Sequence, residues 1–341
     1  MKQATGLLNL IKQADRILVT SHVSPDSDAL TSLLLAGLTL AQNFPDKEVN
    51  MTLEDRIKSH SYLPGYKQIH FIPLDQALNR YKPELIICLD GMNFDRFSRA
   101  SEKVRDWVKE NKPKIVIIDH HEDRSVEKND LYINQGSPAV VQDIYELFFN
   151  GMKLNKPDGY PVLTLTGLFS DTGGFTYKNN RHSATFELID ELISVGGNLE
   201  EISASFANYS HDQMVALEEL IKNLKVEAGY SYSYLSDDFV RQWVKSGKSY
   251  SDLSEAKAHF VNSYVRNIEG NRWGFAVYPN SSFETYDVSL RSQSDVRDVS
   301  KIAAKLGGGG HKPAAGQKGI KAKSAQEVVD MVLKAIADTT K

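Results

Sequence analysis

Residues 115–122, Ile-Val-Ile-Ile-Asp-His-His-Glu, decide how the rest of the chain is interpreted. Four β-branched apolar residues in a row are typical of a strand that is buried on both faces, as in a parallel sheet. The apolar run then stops at Asp119, His120 and His121. A carboxylate and two imidazoles at the end of a buried strand therefore mark a candidate site.

Two earlier apolar runs, at residues 17–20 and 85–89, also end in polar side chains. In an open α/β sheet, ligands bind in the crevice beyond the carboxyl ends of the strands. If the three strands are parallel neighbours, their polar side chains meet at one edge of the sheet. The polar residues that follow the two earlier runs are His22, Asp26, Asp28 and Asp90.

Length and composition predict a two-domain globular protein. A chain of 341 residues is too long for one typical core, and 41% hydrophobic with 25% charged residues is typical of soluble proteins. The apolar helix candidate at 29–41 is too short to span a bilayer, and the N-terminus lacks the pattern of a secretory signal. The single cysteine, Cys88, is expected to be a reduced core residue. We therefore predict a cytoplasmic protein without membrane contact.

The order of the predicted elements gives an α/β fold. Strands alternate with helices in residues 1–196, which predicts an N-terminal domain with a parallel sheet. Residues 197–224 are predicted to form a helical linker, and residues 225–341 a smaller α/β domain with a mixed sheet. Within this second domain, residues 258–268 and 273–279 flank a hairpin candidate.

The predicted clustering of aspartates requires a compensating positive charge. Like charges a few ångströms apart raise each other's pKa, and a desolvated carboxylate costs several kcal/mol. Asp171, where a helix gives way to Gly173 and Gly174, is the predicted fourth carboxylate. Four aspartates with two or three histidines suit a pair of Mn²⁺ or Mg²⁺ ions, whereas the absence of cysteine ligands disfavours structural zinc. A two-metal centre activates water for in-line displacement at phosphorus.

Each of these elements also has a purely structural interpretation. Asp26 and Asp28 could cap a helix, and Asp90 could be a turn residue at the end of its strand. Asp171 alone is uninformative. The joint occurrence of these residues at three predicted strand ends favours the metal site.

A basic zone in the second domain suggests a site for a short anion. Residues 291–323 carry a net charge of +6, although the whole chain carries −4. This zone contains a run of glycines whose backbone N–H groups are expected to be accessible to a phosphate, with His311 and Arg291 as further donors. The alternative is a flexible loop after a helix. The glycines of the run are Gly307, Gly308, Gly309 and Gly310.

With these motifs in this order, the whole chain resembles the DHH phosphoesterase superfamily, and within it the two-domain branch of nano-RNases and pAp phosphatases. The resemblance implies one Mn²⁺ held by His22, Asp26 and Asp90. It implies a second ion, with Asp90 as the bridging ligand. The ligands implied for the second ion are Asp28, Asp90, His120 and Asp171.

The resemblance also assigns catalytic and substrate-binding roles. His121 would face the scissile phosphate, and Asp119 would support the imidazoles. The glycine run, His311 and Arg291 would bind the terminal phosphate of the substrate. One departure from the family pattern is Ser27, where the family usually has glycine between the two aspartates.

The predicted function is a metal-dependent phosphodiesterase or phosphatase that hydrolyses short oligonucleotides, pAp or both to nucleoside monophosphates. Mn²⁺ is the expected cofactor, with Mg²⁺ or Co²⁺ as alternatives, and a homodimer is possible. Phe175 or Tyr177 could stack on a base or pack in the core. Three other functions stay open: a cyclic-dinucleotide phosphodiesterase, a pyrophosphatase or exopolyphosphatase, and a non-catalytic nucleic-acid-binding protein.

Overall fold

The computed structural model describes residues 2–121, 125–177, 181–293 and 296–339. The chain divides into two units, Met1–Ala207 and Asn208–Lys341. This division falls inside the segment 197–224. The helix Leu199–Phe206 belongs to the first unit, and the helix His211–Lys222 belongs to the second.

A parallel sheet of six strands forms the centre of the first unit, as the sequence predicts. Its strands are β1 (Arg16–Ser21), β2 (Glu48–Leu53), β3 (Ile69–Phe71), β4 (Leu85–Leu89), β5 (Lys114–Ile118) and β6 (Leu131–Ile133). The strand order is β3-β2-β1-β4-β5-β6, so the direction of winding changes between β1 and β4. A crevice opens at such a switch point, beyond the carboxyl ends of the two strands.

Helices cover both faces of this sheet, which explains why the central strands are continuously apolar. Ile87 and Val116 pack in the core on one face, and Cys88 and Ile117 pack in the core on the other. The Cys88 thiol is fully buried, as predicted. The helices of this unit are α1 (Lys2–Gln13), α2 (Ser27–Asn43), α3 (Leu74–Tyr81), α4 (Phe94–Phe97), α5 (Ser101–Asn111), α6 (Val140–Tyr145), α7 (Tyr160–Asp171), α8 (His182–Ser194) and α9 (Leu199–Phe206), with a π turn at Glu146–Gly151 and short 3₁₀ turns at Lys58–His60 and Tyr66–Gln68.

The second unit contains a mixed six-stranded sheet, as predicted. Its strands are β7 (Lys225–Glu227), β8 (Tyr230–Tyr234), β9 (Trp273–Pro279), β10 (Tyr286–Ser292), β11 (Gly309–His311) and β12 (Ala314–Ile320). The order is β11-β12-β10-β9-β8-β7, and only the β8–β9 pair among these neighbours is parallel. Its helices are α10 (His211–Lys222), α11 (Asp237–Lys245), α12 (Tyr250–Ser263), α13 (Ser300–Lys305) and α14 (Ala325–Thr339).

The hairpin predicted around residues 258–268 is wrong, because most of that segment belongs to α12. The buried residues Leu253, Ala256 and Phe260 recur at helical spacing, and the Ser249 side chain caps the helix by accepting a hydrogen bond from Ser251 N. The interpretation as a strand overlooked this cap. Among the described helices of both units, none is long and apolar enough to cross a membrane.

Candidate metal centre

Three adjacent strands of the parallel sheet deliver the predicted side chains to one edge. His22 directly follows β1, Asp90 directly follows β4, and Asp119 directly follows β5. Because β1, β4 and β5 are parallel neighbours, their carboxyl ends lie side by side. The crevice at the switch point is therefore lined by carboxylates and imidazoles, as the sequence predicts.

Asp90 lies at the centre of this arrangement. Its φ is +59°, a left-handed conformation that aspartate tolerates better than most residues, and its N–H donates to Ile118 O at 3.0 Å. The carboxylate is buried, and its two oxygens face two different imidazoles. Asp90 Oδ2 lies 3.4 Å from His22 Nε2, and Asp90 Oδ1 lies 3.4 Å from His120 Nε2.

One group of potential ligands consists of His22, Asp26 and Asp90, whose ligand atoms lie within 4.8 Å of one another. His22 Nδ1 donates to Val23 O at 2.9 Å, which leaves Nε2 as the nitrogen that faces the two carboxylates. Asp26 is the N-cap of α2, and its Oδ1 accepts from Ala29 N at 3.0 Å. Its other oxygen, Oδ2, is the one nearest His22, at 4.0 Å.

A second group consists of Asp28, His120 and Asp171, again within 4.8 Å. His120 Nε2 is 3.6 Å from Asp171 Oδ2. Asp28 is fully buried and accepts hydrogen bonds from Val140 N at 2.6 Å and Val141 N at 3.0 Å, at the start of α6. The backbone of α6 therefore fixes the orientation of this carboxylate.

Helices α2 and α7 bring Asp28 and Asp171 together where they cross. A Cβ atom on Gly167 of α7 would lie 2.9 Å from Asp28 Oδ1 and 2.4 Å from Thr31 Oγ1, so the crossing requires glycine at this position. Asp171 lies four residues after Gly167, on the same face of α7. The close helix contact thus places the Asp171 carboxylate beside the sheet edge.

The His121 ring is held by Asp119, the first residue of the Asp119-His120-His121 motif. Its Nδ1 donates to Asp119 Oδ1 at 2.8 Å, and the same nitrogen lies 3.7 Å from Asp90 Oδ1. Asp119 is fully buried, and its other oxygen, Oδ2, accepts no hydrogen bond from the residues that the structure describes. The pair orients the His121 ring toward the crevice side of Asp90.

The electrostatics of the cluster are those of a site with too much negative charge. Burial, together with the negative charge of Asp90, raises the pKa of Asp28 to about 7. Burial also raises the pKa of Asp171, and neighbouring carboxylates, Asp28 first, raise it further. Burial alone would raise the pKa of Asp90, but the adjacent His120 and His22 lower it. Conversely, Asp90 raises the pKa of both imidazoles although burial opposes this.

This arrangement fits divalent cations. Ligand bonds of about 2.1 Å at right angles place two ligand atoms about 3 Å apart, close to the 3.4 Å separations around Asp90. Asp90 Oδ1 is buried and accepts no hydrogen bond from any described residue, so it is available as a ligand atom. Oxygen and imidazole donors without thiolate suit Mg²⁺ or Mn²⁺. The cluster could therefore hold two such ions, with Asp90 lying between His22 of the first group and His120 of the second.

The glycine run of the second unit differs from the prediction in one respect. Gly307 N and Gly308 N donate to carbonyls of Ala304 and Ala303, at 3.1 and 2.8 Å, and so complete the C-terminus of α13. The expectation that all four glycines present accessible N–H groups is therefore wrong for these two. Gly309 and Gly310 continue into β11, which pairs with β12.

Two of the glycines, Gly308 and Gly310, are nevertheless required by close backbone approach. A Cβ atom on Gly308 would lie 2.2 Å from Gly316 O, and one on Gly310 would lie 2.6 Å from Ala315 Cα. Arg291 lies in β10, beside β12, and its Nε donates to Asn262 Oδ1 at 3.1 Å. The predicted role of the His311 side chain lies outside the described residues.

Two residues near the metal cluster were missed by the sequence analysis. Asp143 in α6 is fully buried, and burial raises its pKa to about 6. Arg181 lies 4.0 Å from Asp143, forms an ion pair with Glu146 at 2.9 Å and donates to Ser137 Oγ at 2.5 Å. An aspartate within the apolar segment 139–149 is the pattern that could have identified this network.

Of the two aromatic candidates, Phe175 packs against the core. Its ring contacts Phe169 edge-on with 5.5 Å between centroids. Tyr177 is 43% exposed, and its ring covers Gly173. Core packing is thus the observed role of Phe175.

Comparison with known proteins identifies both units. A model of the DHH family, N-terminal domain, matches residues 16–168, and a model of the DHHA1 domain matches residues 240–338. A probable bifunctional oligoribonuclease and PAP phosphatase of Streptococcus mutans is 25% identical over 91% of both chains. The bifunctional oligoribonuclease and PAP phosphatase of Bacillus subtilis is 26% identical over 92% of both chains.

A solved structure shows the same fold. It is that of an exopolyphosphatase-related protein from Bacteroides fragilis, with a TM-score of 0.81 and 23% identity over 99% of this chain and 96% of that one. The order of the two matched domains agrees with the order of the two units. The chain therefore belongs to the DHH family and carries a DHH N-terminal domain followed by a DHHA1 domain.

Proposed function

We propose that the protein is a metal-dependent phosphoesterase that hydrolyses short oligoribonucleotides and nucleoside bisphosphates to nucleoside monophosphates. The observation that carries this proposal is the position of Asp90, whose two carboxylate oxygens each face a different imidazole at 3.4 Å. A carboxylate whose two oxygens face ligands of two different groups has the geometry required of a bridge in a two-metal site. The names of the S. mutans and B. subtilis relatives supply the substrate class.

The ligands divide into two sets in this proposal. His22, Asp26 and Asp90 would hold one ion, and Asp28, Asp90, His120 and Asp171 would hold the other. Mn²⁺ is the proposed metal, with Mg²⁺ or Co²⁺ as alternatives. Two bound cations would supply Lewis-acid activation of water and neutralise charge at the phosphate.

The chain's own groups position and stabilise the reacting phosphate. Asp119 fixes the His121 ring through the 2.8 Å hydrogen bond to Nδ1, so that Nε2 can contact a non-bridging phosphate oxygen. A donor fixed before the substrate binds stabilises developing charge without reorganisation. Asp119 is thus a positioning residue, and His121 is the proposed catalytic residue beside Asp90.

Arg291 and the glycine run would bind the terminal phosphate of the substrate. A guanidinium offers two parallel donors to a phosphate, and glycines without side chains allow close approach to the backbone. Binding at a chain end selects short substrates, since long single strands need an extended basic groove. We extend the proposal to a cytoplasmic location. We also propose a homodimer, and light scattering of the purified protein would test this oligomeric state.

A substrate panel tests the function. The purified protein is incubated with Mn²⁺, Mg²⁺ or Co²⁺ and with oligoribonucleotides of two to ten residues, pAp, pApA, cyclic di-AMP, pyrophosphate and polyphosphate. Product chromatography should show monophosphates from the shortest oligonucleotides and from pAp. Preferential hydrolysis of cyclic di-AMP would assign a cyclic-dinucleotide phosphodiesterase instead. Tight oligonucleotide binding without hydrolysis in any metal would contradict an enzyme.

A further inference from the structure

The loop between the proposed ligands His22 and Asp26 contains a strained residue. Ser24 has a left-handed backbone with a φ of +53°. This conformation carries a steric cost for residues other than glycine, so contacts with the surrounding chain must maintain it. Ser24 N donates a hydrogen bond to Asp55 Oδ2 at 2.8 Å. The loop that carries two ligands of one ion is therefore held by a carboxylate from the segment after β2.

One peptide group connects this contact to His22. The N–H of Ser24 and the carbonyl of Val23 belong to the same planar peptide group. That carbonyl accepts the hydrogen bond from His22 Nδ1 at 2.9 Å. The preceding peptide group is fixed as well, because Val23 N donates to Arg96 O at 2.8 Å. The hydrogen bond to Asp55 thus fixes the acceptor that His22 uses, and hydrogen bonds in such a chain polarise one another.

This chain of hydrogen bonds determines which ring nitrogen remains for a metal ion. Because a carbonyl oxygen can only accept a hydrogen bond, His22 Nδ1 carries the proton and Nε2 faces the crevice. Nε2 lies 3.4 Å from Asp90 Oδ2 and 4.0 Å from Asp26 Oδ2. A hydrogen-bond partner behind a ligating histidine fixes its tautomer and ring orientation and raises its basicity. In this loop the partner is a backbone carbonyl whose position depends on Asp55.

Asp55 is itself anchored by an arginine from another segment. Arg99 Nη2 donates to Asp55 Oδ2 at 2.6 Å, and Arg99 Nη1 donates to Glu54 Oε2 at 3.2 Å. The Glu54 side chain is 6% exposed and also accepts a hydrogen bond from Ser98 Oγ at 2.6 Å. Both acidic residues are thus connected to the segment after α4. The ion pair presents the Asp55 carboxylate to Ser24 as a preformed acceptor.

We propose that Asp55, anchored by Arg99, is a positioning residue for the metal ligand His22 and acts through the peptide group of residues 23–24. This inference rests on the metal centre of the proposed function. It assigns an effect to one ion only, because the chain of hydrogen bonds ends at His22, which belongs to one of the two proposed ligand sets. The other set includes no ligand from residues 22–26, and α6 orients its Asp28.

Titration calorimetry of the full-length protein with Mn²⁺, in the absence of substrate, tests this role. Asp55→Ala removes the acceptor of Ser24 N, and we expect one of two Mn²⁺ ions to bind roughly 10-fold more weakly while the affinity for the other is unchanged. Asp55→Asn keeps an oxygen acceptor and should retain most of the affinity. Asp46→Ala, which replaces an exposed aspartate in the turn before β2, is the matched control and should leave both affinities unchanged.

Two further measurements separate positioning from a general loss of structure. Hydrolysis of pApA by Asp55→Ala should be reduced at low Mn²⁺ and restored by a concentration that saturates the weakened site, because the ligands themselves remain. Arg99→Met leaves Asp55 in place but removes its anchor, and it should weaken the same ion by roughly threefold. If Asp55→Ala does not fold, Arg99→Met and Asp55→Asn decide the question.

The outcomes separate this inference from the proposed function. The inference is overturned if the variants of Asp55 and Arg99 weaken both ions equally, which indicates a general structural role, or if they weaken neither. It is also overturned if the wild-type protein binds fewer than two Mn²⁺ ions, or if Asp46→Ala weakens binding as much as Asp55→Ala. A wild-type protein that binds two ions but hydrolyses no substrate would contradict the enzyme, whereas selective weakening of one ion would still support the role of Asp55.

Discussion

The edge of the parallel sheet and the face of the mixed sheet that packs against α12 carry side chains of opposite charge. At the first, four aspartates and three imidazoles lie close together, and the bridging candidate Asp90 is fixed by backbone conformation and burial. At the second, Arg291 lies half-buried on β10, which pairs with β12. The carboxylates of the first region favour cations as ligands, and the Arg291 guanidinium of the second favours an anion.

The two regions also differ in how they respond to amino-acid substitution. The carboxylates and imidazoles are tied to three strands and two helices, so the loss of one ligand leaves the other like charges in place. The second region depends on long basic side chains, such as that of Arg291, which change conformation at a small cost in free energy. We therefore expect large effects on catalysis at the first region and graded effects on substrate affinity at the second.

The largest effect is expected for Asp90→Asn. Asparagine tolerates the left-handed conformation at φ +59°, so the fold should persist while the bridging charge is lost. Hydrolysis of pApA in Mn²⁺ should fall by about 1000-fold or more. Asp106→Asn, an exposed carboxylate on α5, is the control. Retained Mn²⁺-dependent hydrolysis in Asp90→Asn would refute the bridging role.

The second-largest effect is expected for Arg291→Met. Loss of the bidentate contact should raise KM for a phosphate-ended dinucleotide roughly 30-fold, with a smaller change in kcat. Steady-state kinetics with pApA measure the changes in KM and in kcat separately. Arg241→Met removes an exposed arginine of α11 that pairs with Asp238, and it should have no effect on either constant. An unchanged KM in Arg291→Met would exclude this residue from phosphate binding.

Metal binding should stabilise the protein. Without cations the raised pKa values of Asp28 and Asp171 mean that ionising them at neutral pH opposes folding. Mn²⁺ at about 100 times its Kd should add about 2.7 kcal/mol per site, or roughly 5–10 °C in Tm. Calorimetry with Mn²⁺ and with a chelator measures this shift. An equal shift in Asp90→Asn would show that the cation binds elsewhere.

A smaller effect is expected in the pH dependence of stability. Because the pKa of Lys257 is lowered to about 8, the unfolded chain binds more protons than the folded one between about pH 8 and 10.5. Stability due to this group therefore rises with pH in that range. The groups that face Lys257 are Arg291 and Asp287 on β10 and Tyr278 on β9.

Lys257→Met should remove this rise and increase the free energy of unfolding at pH 7 by about 1 kcal/mol, since partial contact with water reduces the penalty. Urea unfolding of both proteins at pH 7, 8.5 and 10 measures the difference. Parallel pH profiles for the two proteins would contradict the lowered pKa.

The smallest effect is expected for Ser27→Ala, between the proposed metal ligands Asp26 and Asp28. Ser27 Oγ lies 3.1 Å from Nε2 of the buried His60, whose pKa is lowered to about 4 by burial. Loss of this hydrogen bond should cost about 1 kcal/mol of stability. Activity should change by less than about threefold, because the ligands on either side remain. A loss as large as that of Asp90→Asn would instead place the Ser27 hydroxyl in the catalytic machinery.

Local patterns in the sequence account for the sheet and for the potential ligands. Apolar runs that end in Asp90 or in Asp119 predict buried parallel strands with polar ends. In a strand that is covered on both faces, every side chain packs in the core, so the whole run is apolar. The helical spacing of Leu253, Ala256 and Phe260 was also present in the sequence, but the segment was interpreted as a strand. There the turn residues near Gly270 outweighed the periodicity.

The sequence by itself thus determined which residues are the candidate ligands and that three strand ends present polar side chains at one edge. Only the tertiary structure decided that α6 orients Asp28, that the crossing at Gly167 brings Asp171 to the sheet edge, and that α13 uses the amides of Gly307 and Gly308. The tertiary structure also revealed the contact of the Lys257 ammonium with the Tyr278 ring. Those features depend on contacts between segments far apart in the chain, and local residue patterns contain no information about such contacts.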